Sequence, residues 1–183
     1  MTLNDLKFPV GPHVANKNPS DTLLKEWITE IESFPTKLYQ LCAELDVEKL
    51  NLIYRPGGWT IKQVVHHCAD SHSNALIRFK LALTEEQPTI KPYMEALWAE
   101  LPDATNDDIT HSLVMITAIH TKLTLLLKSL TDREYERTFI HPEHGKIFTL
   151  KETVWNYAWH CKHHYQHIVN ALKFNGVFPE LLS

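Results

Sequence analysis

The sequence predicts an all-α fold, a four-helix bundle that forms a single domain over residues 1–183. Four long segments repeat apolar residues at spacings of three and four, which is the period of an amphipathic helix. Capping boxes at Thr60–Gln63 and Thr149–Glu152 mark two helix starts. The segments between the helices show little of the alternation that is typical of strands. We expect the helices to alternate in direction, up-down-up-down.

The first element is an N-terminal arm that leads into the first helix. Residues 1–19 contain three prolines and no helical period, so they predict an extended arm lying on the domain. A helical pattern then runs from Ser20 to Leu45. Pro35 lies inside this pattern and predicts a kink, because proline lacks a backbone N–H and clashes with the preceding turn.

The second helix starts at Thr60, after a loop that contains two of the five glycines, and runs to about Glu86. Residues 87–104 follow with three prolines and the aromatic residues Tyr93 and Trp98. They predict a long loop that can include a short helix. Long ordered loops in compact domains are often functional.

The third helix begins at Asp107 or Asp108. Two short runs after it, Thr138–Ile140 and Lys146–Phe148, predict a small hairpin. The last helix continues from the hairpin to a stop signal at Asn175-Gly176.

Composition excludes several classes of function. Lys plus Arg number 18 and Asp plus Glu number 22, so the net charge of −4 argues against a nucleic-acid footprint or a patch for anionic lipid. No apolar run reaches the length of a membrane span, and no signal peptide is evident. The three cysteines are an odd number without CxxC spacing, which predicts a reduced, cytoplasmic protein.

Histidine is the residue type in excess, with 12 in the chain and four between His160 and His167. At 100° per residue, all four lie on one side of the last helix. The pairs His160/His164 and His163/His167 are each one turn apart, as in the zinc-binding HExxH helix. The first pair lies nearer the apolar face and the second nearer solvent. No glutamate lies between the histidines, so the general base of those zinc proteases is missing.

A catalytic zinc needs three protein ligands and an open position, so a third ligand must come from elsewhere. On the second helix His67 flanks the apolar face, whereas His66 points toward solvent and His72 lies within the apolar set. Two facing helices could thus bring together His67, His160 and His164. The alternative is that these are core-edge and surface histidines with hydrogen bonds to the backbone.

Other candidates surround this set. His72, His163 and His167 are candidates for the second coordination shell or for proton transfer. Arg78 shares the side of His67 and could bind an anionic substrate group or form a structural ion pair. Tyr93 and Trp98 could line a pocket mouth or pack the long loop.

Two further motifs argue less strongly for a site. His141 and His144 of the predicted hairpin could approach a site, although polar residues in an exposed loop need no such role. A ferritin-like di-iron centre would require two ExxH motifs, which the sequence lacks.

The segment Gly58–His72, the run Arg78–Leu81 and the histidines of Trp159–His167 resemble the DinB-like superfamily. Within it the chain is most similar to the YfiT-type branch, which is associated with metal-dependent hydrolysis and linked to bacillithiol S-transferase. The resemblance covers nearly the whole chain. Its most specific part is Trp59, followed eight residues later by histidine, combined with HxxxH in the last helix.

The resemblance implies a four-helix bundle with one divalent metal held by three histidines. By position these are His67, His160 and His164, the same three that helix geometry favours. Zinc is the expected metal and nickel the second candidate. The resemblance also implies a homodimer in the cytoplasm.

The predicted activity is metal-dependent hydrolysis or thiol S-transfer on a small-molecule substrate. A three-histidine metal can activate a bound water, or it can bind a low-molecular-weight thiol as thiolate. The second reaction needs no separate general base, which favours it slightly. The alternative is a non-catalytic metal- or ligand-binding module in a stress response. An open fourth metal position would favour an enzyme, and a fourth protein ligand would favour the module.

Overall fold

The computed structural model of the protein describes residues 1–16, 19–143 and 145–178. Four long helices form the predicted four-helix bundle, and in the described residues short helices lie in the N-terminal arm and in the connections, together with a hairpin. The helices are α1 (Leu3–Lys7), α2 (Asp21–Cys42), α3 (Val47–Leu50), α4 (Ile61–Thr84), α5 (Glu95–Trp98), α6 (Thr110–Ser129), α7 (Asp132–Tyr135) and α8 (Leu150–Phe174). The strands are β1 (Thr138–His141) and β2 (Lys146–Thr149), which pair antiparallel with Thr138 opposite Thr149.

The helix starts follow the capping side chains that the sequence contains. The Ser20 hydroxyl accepts a hydrogen bond from the Leu23 N–H, and the boxes at Thr60 and Thr149 are both formed. Helix α6 begins slightly later than predicted, where the Asp108 carboxylate accepts from the Thr110 N–H. Helix α8 ends as predicted at Asn175, whose φ of 50° is left-handed.

The helix directions differ from the predicted alternation. Contacts of α4 with α6 and the residues before it advance together along the chain, as in Lys62–Asp107, His66–Ser112 and His72–His120. Contacts of α4 with α8 advance in opposite senses, as in His67–His164, His72–His160 and Arg78–Tyr157. Helices α2 and α8 run in the same direction. Trp27, near the start of α2, stacks on Trp155, near the start of α8, and Leu52, in the connection after α2, lies beside Gly176, which follows the end of α8. The order of directions is therefore up-down-down-up.

The long connection between α4 and α6 explains this order. Helix α4 has 24 residues and is about 36 Å long. Residues 85–109 can return along that whole length, so α6 starts at the same end of the bundle as α4. Alternating directions would follow only if this connection were a short turn.

The N-terminal arm is partly helical, which the sequence prediction missed. Thr2 and Asp5 form a capping box that starts α1. Beyond α1 the arm lies along α8, where the indole N–H groups of Trp155 and Trp159 donate to the carbonyls of Val14 and Gly11. The arm therefore covers one side of α8.

Two features of the bundle interior bear on the site. The three cysteines are buried as free thiols. Helix α6 has the length and hydropathy of a membrane-spanning helix, but it packs against α2 and α4 and carries the buried, polar His120 toward them.

Candidate metal centre

Three histidines from two helices meet between α4 and α8. His67 extends from α4, and His160 and His164 extend from consecutive turns of α8. One ring nitrogen from each lies within 4.8 Å of the other two. The closest pair is His67 Nε2 and His160 Nε2, which are 3.2 Å apart. That these residues bind a metal stays a prediction.

The donor set fits a zinc-sized divalent ion. Two nitrogens that each lie about 2.0–2.1 Å from a tetrahedral zinc are roughly 3.3 Å apart, close to the spacing of His67 and His160. Metal ligation also requires neutral imidazoles. Burial, with the nearby His163, lowers the pKa of His67 to about 4, and burial holds the pKa values of His160 and His164 well below their usual range. All three rings are neutral at pH 7.

Trp59 holds the first of these histidines in place. Its indole packs on the His67 ring, with the ring centroids 4.8 Å apart. Trp59 directly precedes Thr60, the N-cap of α4, so the indole lies at the start of the helix that carries His67.

The helical wheel predicts that His163 and His167 lie near solvent. The structure shows instead that both are buried beneath the N-terminal arm. His163 stacks on Trp159 and lies near Phe8, and it is 8% exposed. His167 is 1% exposed, donates from Nε2 to the Lys7 carbonyl and stacks on Tyr54. A wheel describes a single helix and contains no information about a distant segment that covers it.

His66 is likewise buried, whereas the sequence predicts that it points to solvent. Its Nε2 donates to the Asn106 carbonyl, and its Nδ1 pairs with the Ser112 hydroxyl. Helix α4 has two buried sides because both α6 and α8 pack on it. The wheel located only one of them.

His72 and His120 form a polar group behind His160, in the interior of the bundle. His72 Nε2 lies 2.9 Å from His160 Nδ1, and His72 Nδ1 lies 2.6 Å from His120 Nε2. His120 Nδ1 then lies 2.6 Å from the Ile31 carbonyl oxygen. The sequence prediction assigned His120 no role. The available signal was a histidine within the apolar stripe of its helix.

His72, His120 and Cys161 also bring one potential ligand atom each within 4.8 Å of one another. They fit a metal poorly. The 2.6 Å between the His72 and His120 nitrogens is well short of the tetrahedral edge and is a short hydrogen bond. Burial raises the pKa of Cys161, so its sulfur carries a proton and is not the thiolate that ligates metals.

A cavity of about 1010 Å³ opens beside the three histidines and has His160 in its wall. Arg78 and Tyr93 also line it, whereas Trp98 packs against the ring of Tyr93 at 4.5 Å. His141 of the hairpin contributes to the wall, and His144 lies outside the described residues. The cavity connects the histidine cluster to the long loop that the sequence marks as a functional candidate.

Arg78 is a cation in the cavity wall whose side chain is held by contacts with its neighbours. Its Nη1 donates to the Tyr157 hydroxyl at 3.3 Å, and that hydroxyl donates to the Ser71 carbonyl. The Arg78 Nε is buried and has no hydrogen-bond partner within the part of the chain that the structure describes. No carboxylate there forms an ion pair with Arg78.

Comparisons with known proteins give a consistent result. The sequence model of the DinB superfamily matches residues 30–168. A protein of Bacillus cereus (strain B4264) named "Putative metal-dependent hydrolase" is 46% identical over 171 residues, which are 93% of this chain and 98% of that protein. A protein of the same name from Bacillus anthracis (strain CDC 684) is 45% identical over the same length and shares.

Two solved structures are similar in fold. YfiT from Bacillus subtilis, described as a probable metal-dependent hydrolase with an unusual four-helix bundle topology, has a TM-score of 0.90 and 41% sequence identity. The match covers 94% of this chain and 98% of YfiT. The mycothiol-dependent maleylpyruvate isomerase has a TM-score of 0.51 and 16% identity over 93% of this chain and 62% of its own, which indicates a shared fold alone.

Proposed function

The chain belongs to the DinB superfamily, and from this premise we propose that it is an enzyme in which His67, His160 and His164 hold one divalent metal. The observation that carries the proposal is the cluster of three neutral imidazoles at the wall of a large cavity. His67 and His164 are buried, whereas His160 is partly exposed, so the cluster is open on the cavity side. Zinc is the metal we expect, and nickel is the second candidate because both accept imidazole.

A metal held by three neutral histidines keeps its full charge and supplies Lewis-acid activation of a water or a thiol. We favour the thiol as nucleophile. In that reaction a low-molecular-weight thiol loses its proton and its sulfur bonds to an electrophilic carbon. The leaving group departs with the bonding electron pair and takes up a proton. With water in place of the thiol, the same site is a hydrolase.

The protein residues position the reactants. His72, His163 and His167 lie behind the ligand histidines and not in the cavity wall, so we assign them to holding the ligands and not to exchanging protons with substrate. Arg78 has an Nε–H without a partner among the described residues and lines the cavity, so we assign it to binding an anionic group of the substrate. Tyr93 lines the same cavity as Arg78, and Trp98 packs against the ring of Tyr93.

The test combines metal analysis with a reaction screen. Protein purified without a histidine tag is expected to contain one equivalent of metal per chain. The metal-loaded protein is then assayed with pairs of thiols and electrophiles and, separately, with ester and amide substrates. Thioether formation supports S-transfer, and hydrolysis without thiol supports the hydrolase. Metal binding without any turnover supports the non-catalytic module, and protein without metal affinity contradicts the proposal.

The family resemblance also suggests a homodimer in the cytoplasm, and we include both in the proposal. Helix α6 exposes the apolar side chains of Val114 and Leu125, which are 63% and 68% accessible in a single chain. The buried free thiols are compatible with a reducing compartment. Light scattering after size-exclusion chromatography would distinguish a dimer from a monomer.

A further inference from the structure

We propose that two hydrogen-bonded histidine chains fix the tautomers of His160 and His164, so that each presents the lone pair of Nε2 to the metal. The long histidine chain runs from His160 through His72 and His120 to the Ile31 carbonyl. The short histidine chain runs from His164 through His167 to the Lys7 carbonyl. This inference rests on the proposed function, since it concerns how the three-histidine site is prepared for a metal.

The direction of the long chain is set by its last member. The Ile31 carbonyl can only accept, so His120 donates from Nδ1. A neutral imidazole has one N–H, so His120 Nε2 accepts, and the donor to it is His72 Nδ1. His72 Nε2 then accepts, and its donor is His160 Nδ1. His160 therefore keeps the lone pair on Nε2, the nitrogen that lies 3.2 Å from His67 Nε2.

Pro35 explains why the Ile31 carbonyl is available. In an α-helix this carbonyl would accept from the N–H four residues later, at position 35. Proline has no N–H, and helix α2 continues through it. A buried carbonyl without a donor is costly, and the His120 Nδ1–H fills that place. Pro35 leaves the Ile31 carbonyl without a donor inside α2, and His120, on α6, supplies the missing N–H.

The short chain follows the same logic with a different carbonyl. Lys7 is the last residue of α1, where backbone carbonyls lack partners within the helix. Its oxygen accepts from His167 Nε2, so His167 Nδ1 is an acceptor. The group facing it is His164 Nδ1, at 3.4 Å. Donation from that nitrogen leaves the lone pair of His164 on Nε2, as in His160.

The direct test is the tautomer of each ring in the metal-free, full-length protein. With ¹⁵N-labelled histidine, two-bond ¹H–¹⁵N spectra at pH 7.5 distinguish protonated from unprotonated ring nitrogens. We expect the Nδ1–H form for His160, His72, His120 and His164, and the Nε2–H form for His167. An Nε2–H form at His160 or His164 overturns the assignment of the corresponding chain.

The functional test is zinc affinity, measured by competition with a chelator. Loss of a partner that orients a metal-ligating histidine costs about 10–100-fold in affinity. We expect a weakening in this range for His120→Phe, although His120 is not a ligand. The matched control is His66→Phe, which removes a histidine that is also buried and bonded to a backbone carbonyl but faces α6. Circular dichroism verifies that both variants fold.

The outcomes separate this inference from the proposed function. A wild-type protein without zinc affinity contradicts the proposed function. If the wild type binds zinc and the folded His120→Phe variant binds it with an affinity within twofold of the wild type, the long histidine chain alone is contradicted. Binding of two zinc ions per chain, with the second lost in Cys161→Ala, would mean that His72 and His120 ligate a metal and would also overturn it.

Discussion

At the scale of single residues, the site depends on which of two equivalent-looking histidine pairs on α8 faces the cavity. His160 lies in the cavity wall, and His164 is next to it on the following turn. His163 is enclosed between Trp159 and the arm. We therefore expect His160→Ala and His164→Ala each to abolish stoichiometric zinc binding and His163→Ala to retain most of it. Elemental analysis of dialysed protein measures this, and the reverse pattern would show that the other pair holds the metal.

Arg78 permits a second prediction at this scale. Among the residues that the structure describes, its buried Nε–H has no acceptor, and a hydrogen bond to a charged group contributes about 1.5–3 kcal/mol. Arg78→Gln should raise the KM for a carboxylate-bearing thiol such as N-acetyl-L-cysteine by roughly 10–100-fold. The matched probe is its carboxamide, whose KM should hardly change. An equal effect on both probes would mean that Arg78 supports the fold and does not bind the carboxylate.

Residue identity and local spacing were sufficient to predict that His67, His160 and His164 lie together, for physical reasons. Capping is local, so Thr60 and Thr149 predict the starts of the two helices that carry the three histidines. Two histidines four residues apart on a helix are neighbours whatever surrounds them. The role of His120 could not be predicted in this way, because its partners on α2 and α4 are 89 and 48 positions away in the sequence.

At the scale of whole elements, the segments that connect the helices determine which helix faces are buried, and a helical wheel contains no information about this. The wheel places His66 and the pair His163/His167 toward solvent because it describes isolated helices. Helix α6, directed by the long connection after α4, buries His66. The N-terminal arm, more than 140 positions away in the sequence, buries His163 and His167. Packing between segments so distant has no signature in local periodicity.

Helix α2 lacks the hydrogen bond that an N–H at position 35 would donate to the Ile31 carbonyl, and this carbonyl accepts from His120 instead. This leads to a prediction for Pro35→Ala. Alanine restores an N–H that competes with His120 for the Ile31 carbonyl. We expect a more stable helix, because proline is about 3 kcal/mol less favourable than alanine in a helix interior, but a weaker zinc affinity. Thermal unfolding and chelator competition measure the two effects. An unchanged affinity, with the expected gain in stability, would show that the carbonyl accepts from both donors without loss.

At the scale of the whole molecule, the buried histidines make the metal-free fold sensitive to acid. Burial lowers the pKa of His67, His120 and His163 to about 4 and that of His167 to about 3, against an ordinary value of 6.5. Below pH 6.5 the unfolded chain therefore binds protons that the folded chain does not. The free energy of unfolding falls as the pH decreases from 6.5 toward 4, by about 1.4 kcal/mol per pH unit for each such histidine.

Four histidines together reduce the free energy of unfolding by about 5 kcal/mol per pH unit, and typical domains have only 5–15 kcal/mol in total. We expect metal-free protein to unfold between pH 6 and 4, as about two units of acidification remove this margin. Circular dichroism against pH measures the transition. His111→Gln should leave it unchanged, because His111 is exposed. Saturating zinc should move the midpoint to lower pH, since it binds only the folded, neutral histidines. A midpoint that zinc does not move would mean that no metal binds these histidines in the folded state.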